Sequence, residues 1–165
     1  MESFLLNMRL LNDAFCDYYK HVTLFSASDP PRLEAVRLYQ KDRRLLPSCL
    51  YLLYSDELEQ MSSCLEGLSF LVSGKISSGQ IPAGCSLLVV EDGASIPELF
   101  NLAQDTFERY TRWDRELYAA MKSDHPLDAM LEASLKVFHN PIFIHDTNFY
   151  ILYCPHRAPN MLVWD

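Results

Sequence analysis

CLYLLYSDELEQMSSCLEGLSFLVSGKISSGQIPAGCSLLVVEDG, residues 49–93, decides the fold class. Three apolar runs of strand length stand in it, at residues 49–54, 68–74 and 85–92. Each is nearly continuous in apolar character, as a strand covered on both faces must be. Between the first two, Ser55 precedes a stretch, residues 56–65, in which Leu58, Met61 and Leu65 recur at helical spacing. All five glycines of the chain (Gly67, Gly74, Gly79, Gly84, Gly93) fall at or near the ends of these runs, where the backbone has to turn. The pattern predicts an α/β fold, with α+β as the alternative: a small, mostly parallel sheet with flanking helices.

Upstream, Phe4, Leu5, Met8, Leu11, Phe15, Tyr18 and Tyr19 recur every three or four residues and predict an amphipathic helix within the first twenty positions. Residues 21–25 read as a short strand. The SASDPP run after it reads as a turn, and residues 35–39 alternate with charged neighbours as an edge strand does.

Downstream, a long helix opens at Ser95 or Ile96, with Pro97 in its first turn and Glu98 at the positive end of its dipole, and runs to about Met121. Leu99, Ala103, Thr106, Tyr110, Trp113, Leu117 and Ala120 keep a heptad register, and Phe100 and Phe107 thicken one flank. This face exceeds what a small sheet covers, so Leu99, Phe100, Ala103, Thr106, Phe107, Tyr110, Trp113 and Leu117 are the expected dimerisation residues of a connector helix. A break at residues 122–126, with Ser123 or Asp124 as the cap, leads to a second amphipathic helix through Leu127, Met130, Leu131, Leu135 and Phe138, ended by Pro141. NPIFIHDTNFYILY then reads as strand, turn around residues 146–148, and strand. Four segments follow: a lead-in helix and strand (residues 1–32), an α/β domain (33–93), a connector (94–124), and the unfinished start of another unit (125–165). An isolated hairpin is marginal in water, so Asp165 is expected to be something other than the natural end of that unit.

The chain has 165 residues, 14 Lys and Arg against 22 Asp and Glu, and a formal charge of −8. A polyphosphate backbone is repelled by such a balance unless cations gather on one face, and counted by thirds the chain has no such gathering. Nucleic acid is therefore excluded as a partner of these residues. Five scattered cysteines without a CxxC pair argue against a disulfide framework or a zinc ribbon and favour reduced thiols in the cytoplasm. Glu2, Arg9 and Asp13 interrupt the apolar start, so no signal peptide or membrane span is expected there.

Catalytic signatures are lacking. SGKISSG, residues 73–79, has Ser69 and Ile76 where a phosphate-binding P-loop needs Gly and a hydroxyl residue. His145, Cys154 and His156 offer ligand atoms near the predicted hairpin, but no metal or cofactor is expected there. The carboxyl ends of the three central strands bring together Tyr54, Ser73, Lys75 and Glu91, a candidate site for a small polar molecule of unspecified identity.

In order and texture, LYLLYSDEL, IPELFNLAQDTFERY and NPIFIHDTNF resemble the N-terminal sensory half of PucR-type (purine-catabolism-regulator-like) bacterial transcription regulators, over roughly residues 33–155. That resemblance implies a non-enzymatic, cytoplasmic, ligand-sensing and dimerising fragment. Residues 33–93 would be the α/β sensory domain and residues 97–121 the signalling helix, a GAF- or PAS-like domain would begin at Leu127, and the DNA-binding helix-turn-helix would lie outside the chain. Two rival readings are a small-molecule- or nucleotide-binding α/β domain with enzymatic activity and a ligand-free interaction module.

Overall fold

The protein, seen in a computed structural model, is described here for residues 6–27, 31–61, 65–77, 81–138, 142, 144–148 and 150–153. Its elements are α1 (Met8–Cys16), β1 (Val22–Phe25), β2 (Ala35–Leu38), β3 (Cys49–Tyr54), α2 (Ser55–Glu59), β4 (Ser69–Ser73), β5 (Ser86–Val90), α3 (Ile96–Ala120), α4 (Pro126–Leu135), β6 (Ile144–His145) and β7 (Ile151–Tyr153). Contacts divide the chain into two compact units, Met1–Glu108 and Arg109–Asp165. The fold is mixed α/β.

In the first unit, five strands form one sheet in the order β1-β5-β4-β3-β2. Strands β2 to β5 are mutually parallel, and β1 pairs antiparallel with β5. Because the parallel strands follow one another in chain order, right-handed crossovers carry every connection over the same face. Tyr51, Leu53, Phe70, Val72, Leu87 and Val89 point to that face. There they share a core with Leu58 and Leu65, and with the partly buried Tyr39, Leu45, Met61, Ile76 and Ile81 of the three connections. The opposite face carries Leu50, Leu52, Leu71, Leu88 and Val90, all buried. Helix α1 packs against β1 and β5, and its buried Met8, Leu11 and Phe15 stand outside the crossover-side core.

Tertiary packing moves several boundaries. Helix α1 begins at Met8 because the Asn7 side chain accepts the backbone N–H groups of Arg9 and Leu10, each at 3.0 Å. Leu6, just before it, bridges to Leu33 instead of joining the helix. Helix α2 stops at Glu59, although Met61 and Leu65 continue its spacing; both side chains reach the same core from outside the helix. Periodicity there reflects shared burial, which a helix is only one way to achieve.

In the second unit, α4 opens on Pro126 after His125, whose side chain makes no capping bond. The expected cap at Ser123 or Asp124 is thus displaced. Proline's fixed φ starts the helix, while the Ser123 hydroxyl donates to the Ala120 carbonyl and closes the end of α3. Trp113 holds this unit together. Its ring meets Phe138 edge-on with centroids 5.2 Å apart, and its indole N–H donates to Ser134 at 3.2 Å. Strands β6 and β7 are antiparallel, and one carboxylate oxygen of Asp146 accepts the N–H groups of Asn148 and Tyr150 at 2.8 and 2.9 Å, building the turn. No helix among the described residues is long and apolar enough to cross a membrane.

Candidate functional site

Tyr54, Ser73, Lys75 and Glu91 do lie at one end of adjacent strands: Tyr54 pairs in register with Ser73, and Ser73 with Val90. What surrounds them is structural. The Ser73 hydroxyl is buried and donates to the Ala94 carbonyl. Gly74, at φ +114°, donates its N–H to the Val90 carbonyl and lies so close to Ser55 that a Cβ would meet the hydroxyl at 2.6 Å. Glu91 donates its N–H to the His21 carbonyl at 3.0 Å. Ligand crevices in open parallel sheets form where adjacent crossovers leave toward opposite faces. From β2 to β5 every crossover covers one face, whereas α3, which follows β5, contributes no residue to the core on that face.

Beside them, Asp92 accepts both the His21 backbone N–H, at 2.9 Å, and an imidazole hydrogen bond at Nδ1. The imidazole bond to Asp92 raises the His21 pKa above its ordinary 6.5, and the same bonds hold the Asp92 carboxyl below its ordinary range. This pair, 71 residues apart in sequence, ties the entry of β1 to the exit of β5.

The heptad positions of α3 are largely consumed by the chain itself. Leu99 and Ala103 are fully buried, and Thr106, Phe107 and Tyr110 nearly so. Phe100, Trp113 and Leu117 are partly buried. The face expected to meet a second copy is therefore largely covered by the chain itself: Leu99, Ala103, Thr106 and Phe107, all buried, belong to the sheet unit, and the buried Tyr110 and partly buried Trp113 belong to the second. At the hairpin, His145 Nδ1 lies 2.8 Å from the Asp146 carbonyl, and Cys154 and His156 fall outside the described residues.

A cavity of about 780 Å³ lies elsewhere in the first unit, between the β2–β3 connection and the segment that joins α2 to β4. Leu45, Met61 and Leu68 contribute apolar lining. Leu45 and Met61 lean on the crossover-side core, and Leu68 belongs to it. Lys41, Arg43 and Arg44 line it with positive charge, countered by Asp42 and Glu66. Among the described residues none of the three cations is ion-paired with a carboxylate. The Arg43 guanidinium is instead tethered to the Gln40 side chain at 3.2 Å. The loop is pinned to the sheet by Tyr51, whose buried hydroxyl accepts the Leu46 N–H at 2.8 Å. Burial pushes the Tyr51 pKa up, and that N–H partly offsets the rise.

Sequence reading by thirds missed this site, because six acidic residues in positions 1–44 balance its seven basic ones. The signal was local: KDRR, residues 41–44, places three cations in four positions. Comparison with protein-family models, with curated proteins and with solved structures gave no match.

Proposed function

We propose that this chain is the sensory portion of a cytoplasmic transcription regulator of the PucR type, without catalytic activity of its own and with its DNA-binding helix-turn-helix outside these residues. One observation carries the reading: the boundary between the two compact units falls inside α3, a single uninterrupted helix of 25 residues. Its first half contributes Leu99, Ala103, Thr106 and Phe107 to the sheet unit, and its second half contributes Tyr110 and Trp113 to the next. One helix shared by two compact units is the kind of element through which an effector site and a distant output can be coupled. Helix α4 and the β6–β7 pair after it support reading residues 125–165 as the entry to a GAF- or PAS-like domain.

The shift available from an effector is limited by its differential affinity for the two helix settings. In this reading the chain is also a homodimer. Sequencing the gene beyond codon 165 tests the reading. An open frame leading to a basic helix-turn-helix supports it, and a stop codon directly after Asp165 refutes it.

A further inference from the structure

We infer that the cavity between the β2–β3 connection and the α2–β4 segment binds a small organic anion, with its oxyanion held by Arg43 and Arg44 and its apolar body on Leu45, Met61 and Leu68. Three observations converge. At about 780 Å³ the cavity falls within the range of small-molecule sites, which is roughly 300–1,000 Å³. Its lining divides by chemistry into an apolar part continuous with the core and a cationic part formed by Lys41, Arg43 and Arg44. Those cations stand in a chain of net charge −8, yet none is paired with a carboxylate among the described residues.

Cations that line one cavity repel one another, and an oxyanion between Arg43 and Arg44 relieves the repulsion while meeting their guanidinium forks. The fork geometry suits a carboxylate or a phosphoryl group equally, since both present paired oxygens. Arg43 is oriented by Gln40, and the Tyr51 hydroxyl anchors the loop, which lowers the ordering that binding must impose. Amphiphilic character separates this ligand from a bare ion: an inorganic anion leaves the apolar lining wet, and a neutral hydrocarbon leaves the cations unmatched.

That an occupant acts as an effector rests on the sensory reading above; its binding does not. The test is titration calorimetry on the 165-residue chain with 1-naphthyl phosphate, 1-naphthoate, 1-naphthol and inorganic phosphate. The expected result is that at least one naphthyl anion binds about 10- to 100-fold more tightly than both 1-naphthol and inorganic phosphate, the range that charge-assisted hydrogen bonds supply. Tighter binding of the phosphate ester assigns a phosphoryl ligand, and tighter binding of the naphthoate a carboxylate. The Arg43→Ala/Arg44→Ala variant, altered only at exposed side chains, should keep its circular dichroism and lose that preference. An Arg112→Ala/Arg115→Ala variant in the other unit should retain it. Equal binding of 1-naphthol, no binding of either anion, or binding unchanged in Arg43→Ala/Arg44→Ala overturns the site. Hydrogen exchange along α3 with the bound anion present separates the two claims: binding without any change in α3 keeps the site and removes the sensory role.

Discussion

Replacing Tyr51 by Phe removes one oxygen from the loop that carries the cations and leaves every charge in place. The Tyr51 ring is 2% exposed and packs against Phe70 with centroids 6.3 Å apart, and phenylalanine keeps that packing, so no cavity opens. What is lost is the 2.8 Å bond from the Leu46 N–H. A hydrogen bond of this kind contributes about 1 kcal/mol net, and an N–H left dry costs up to about 3 kcal/mol. Leu46 is 38% exposed, so water reaches the freed N–H and the lower figure applies. A loss of about 1 kcal/mol lowers the urea midpoint by roughly 0.3–1 M at an unchanged m-value. Far-UV circular dichroism must follow the transition, since Trp113 reports on the other unit. The Leu46 amide should exchange with solvent at least about tenfold faster, because the bond that protects it among the described residues is gone. A midpoint within experimental error of wild type together with an unchanged Leu46 amide would refute the claim that Tyr51 holds the loop. A loss of about 3–5 kcal/mol, the size of an aromatic truncation, would show that the ring had moved and would refute it differently.

Three further outcomes follow from the same contacts. Trp113→Ala removes the edge contact with Phe138 and the bond to Ser134, and should destabilise the second unit by about 2–4 kcal/mol in thermal melts while leaving the mass by light scattering unchanged; a dimer turned monomer would restore the paired-helix role of this face. Ser95→Ala removes a hydroxyl that bonds the Glu98 carboxylate at 2.8 Å in a reciprocal cap at the start of α3, and should cost about 1 kcal/mol in urea; less than about 0.3 kcal/mol would show that Glu98 and the Ser95 N–H suffice. The third concerns pH. The raised His21 pKa makes that contribution full below 6.5 and lost as pH rises through the folded value, and the lowered Asp92 pKa makes its contribution present above 3.8 and lost as pH falls, so the pair stabilises most between 3.8 and 6.5. Melting temperature should therefore fall from about pH 5 to about pH 9 more steeply in the wild type than in Asp92→Asn. Equal slopes would remove the pair from the stability of the β1–β5 edge.

The central strands are legible in the sequence because burial on both faces leaves a mark no other element leaves so densely: β3, β4 and β5 fall inside the apolar runs at residues 49–54, 68–74 and 85–92. The hairpin is legible for a similar reason, since Asp146 satisfies its own turn with local bonds. Helix α3 is legible in extent, and its partner is not. A heptad stripe states that one face is covered, and the stripe reads the same whether the cover is a second copy or, as here for Leu99 to Tyr110, the chain's own residues.

The sequence by itself determined which segments become strands and helices, since local periodicity and turn chemistry act over a few residues. Only the tertiary structure decided which strands are neighbours, and so which polar residues stand together at the end of the sheet where Tyr54, Ser73, Lys75 and Glu91 lie. It also decided the placement of residues 41–44 beside Met61 and Leu68, and the bond from His21 to Asp92. The physical reason is that a hydrogen bond or a cavity wall is specific to its partner, whereas hydrophobic burial is not. A pattern of apolar residues records that water is excluded, and the chain must fold before anything records what excludes it.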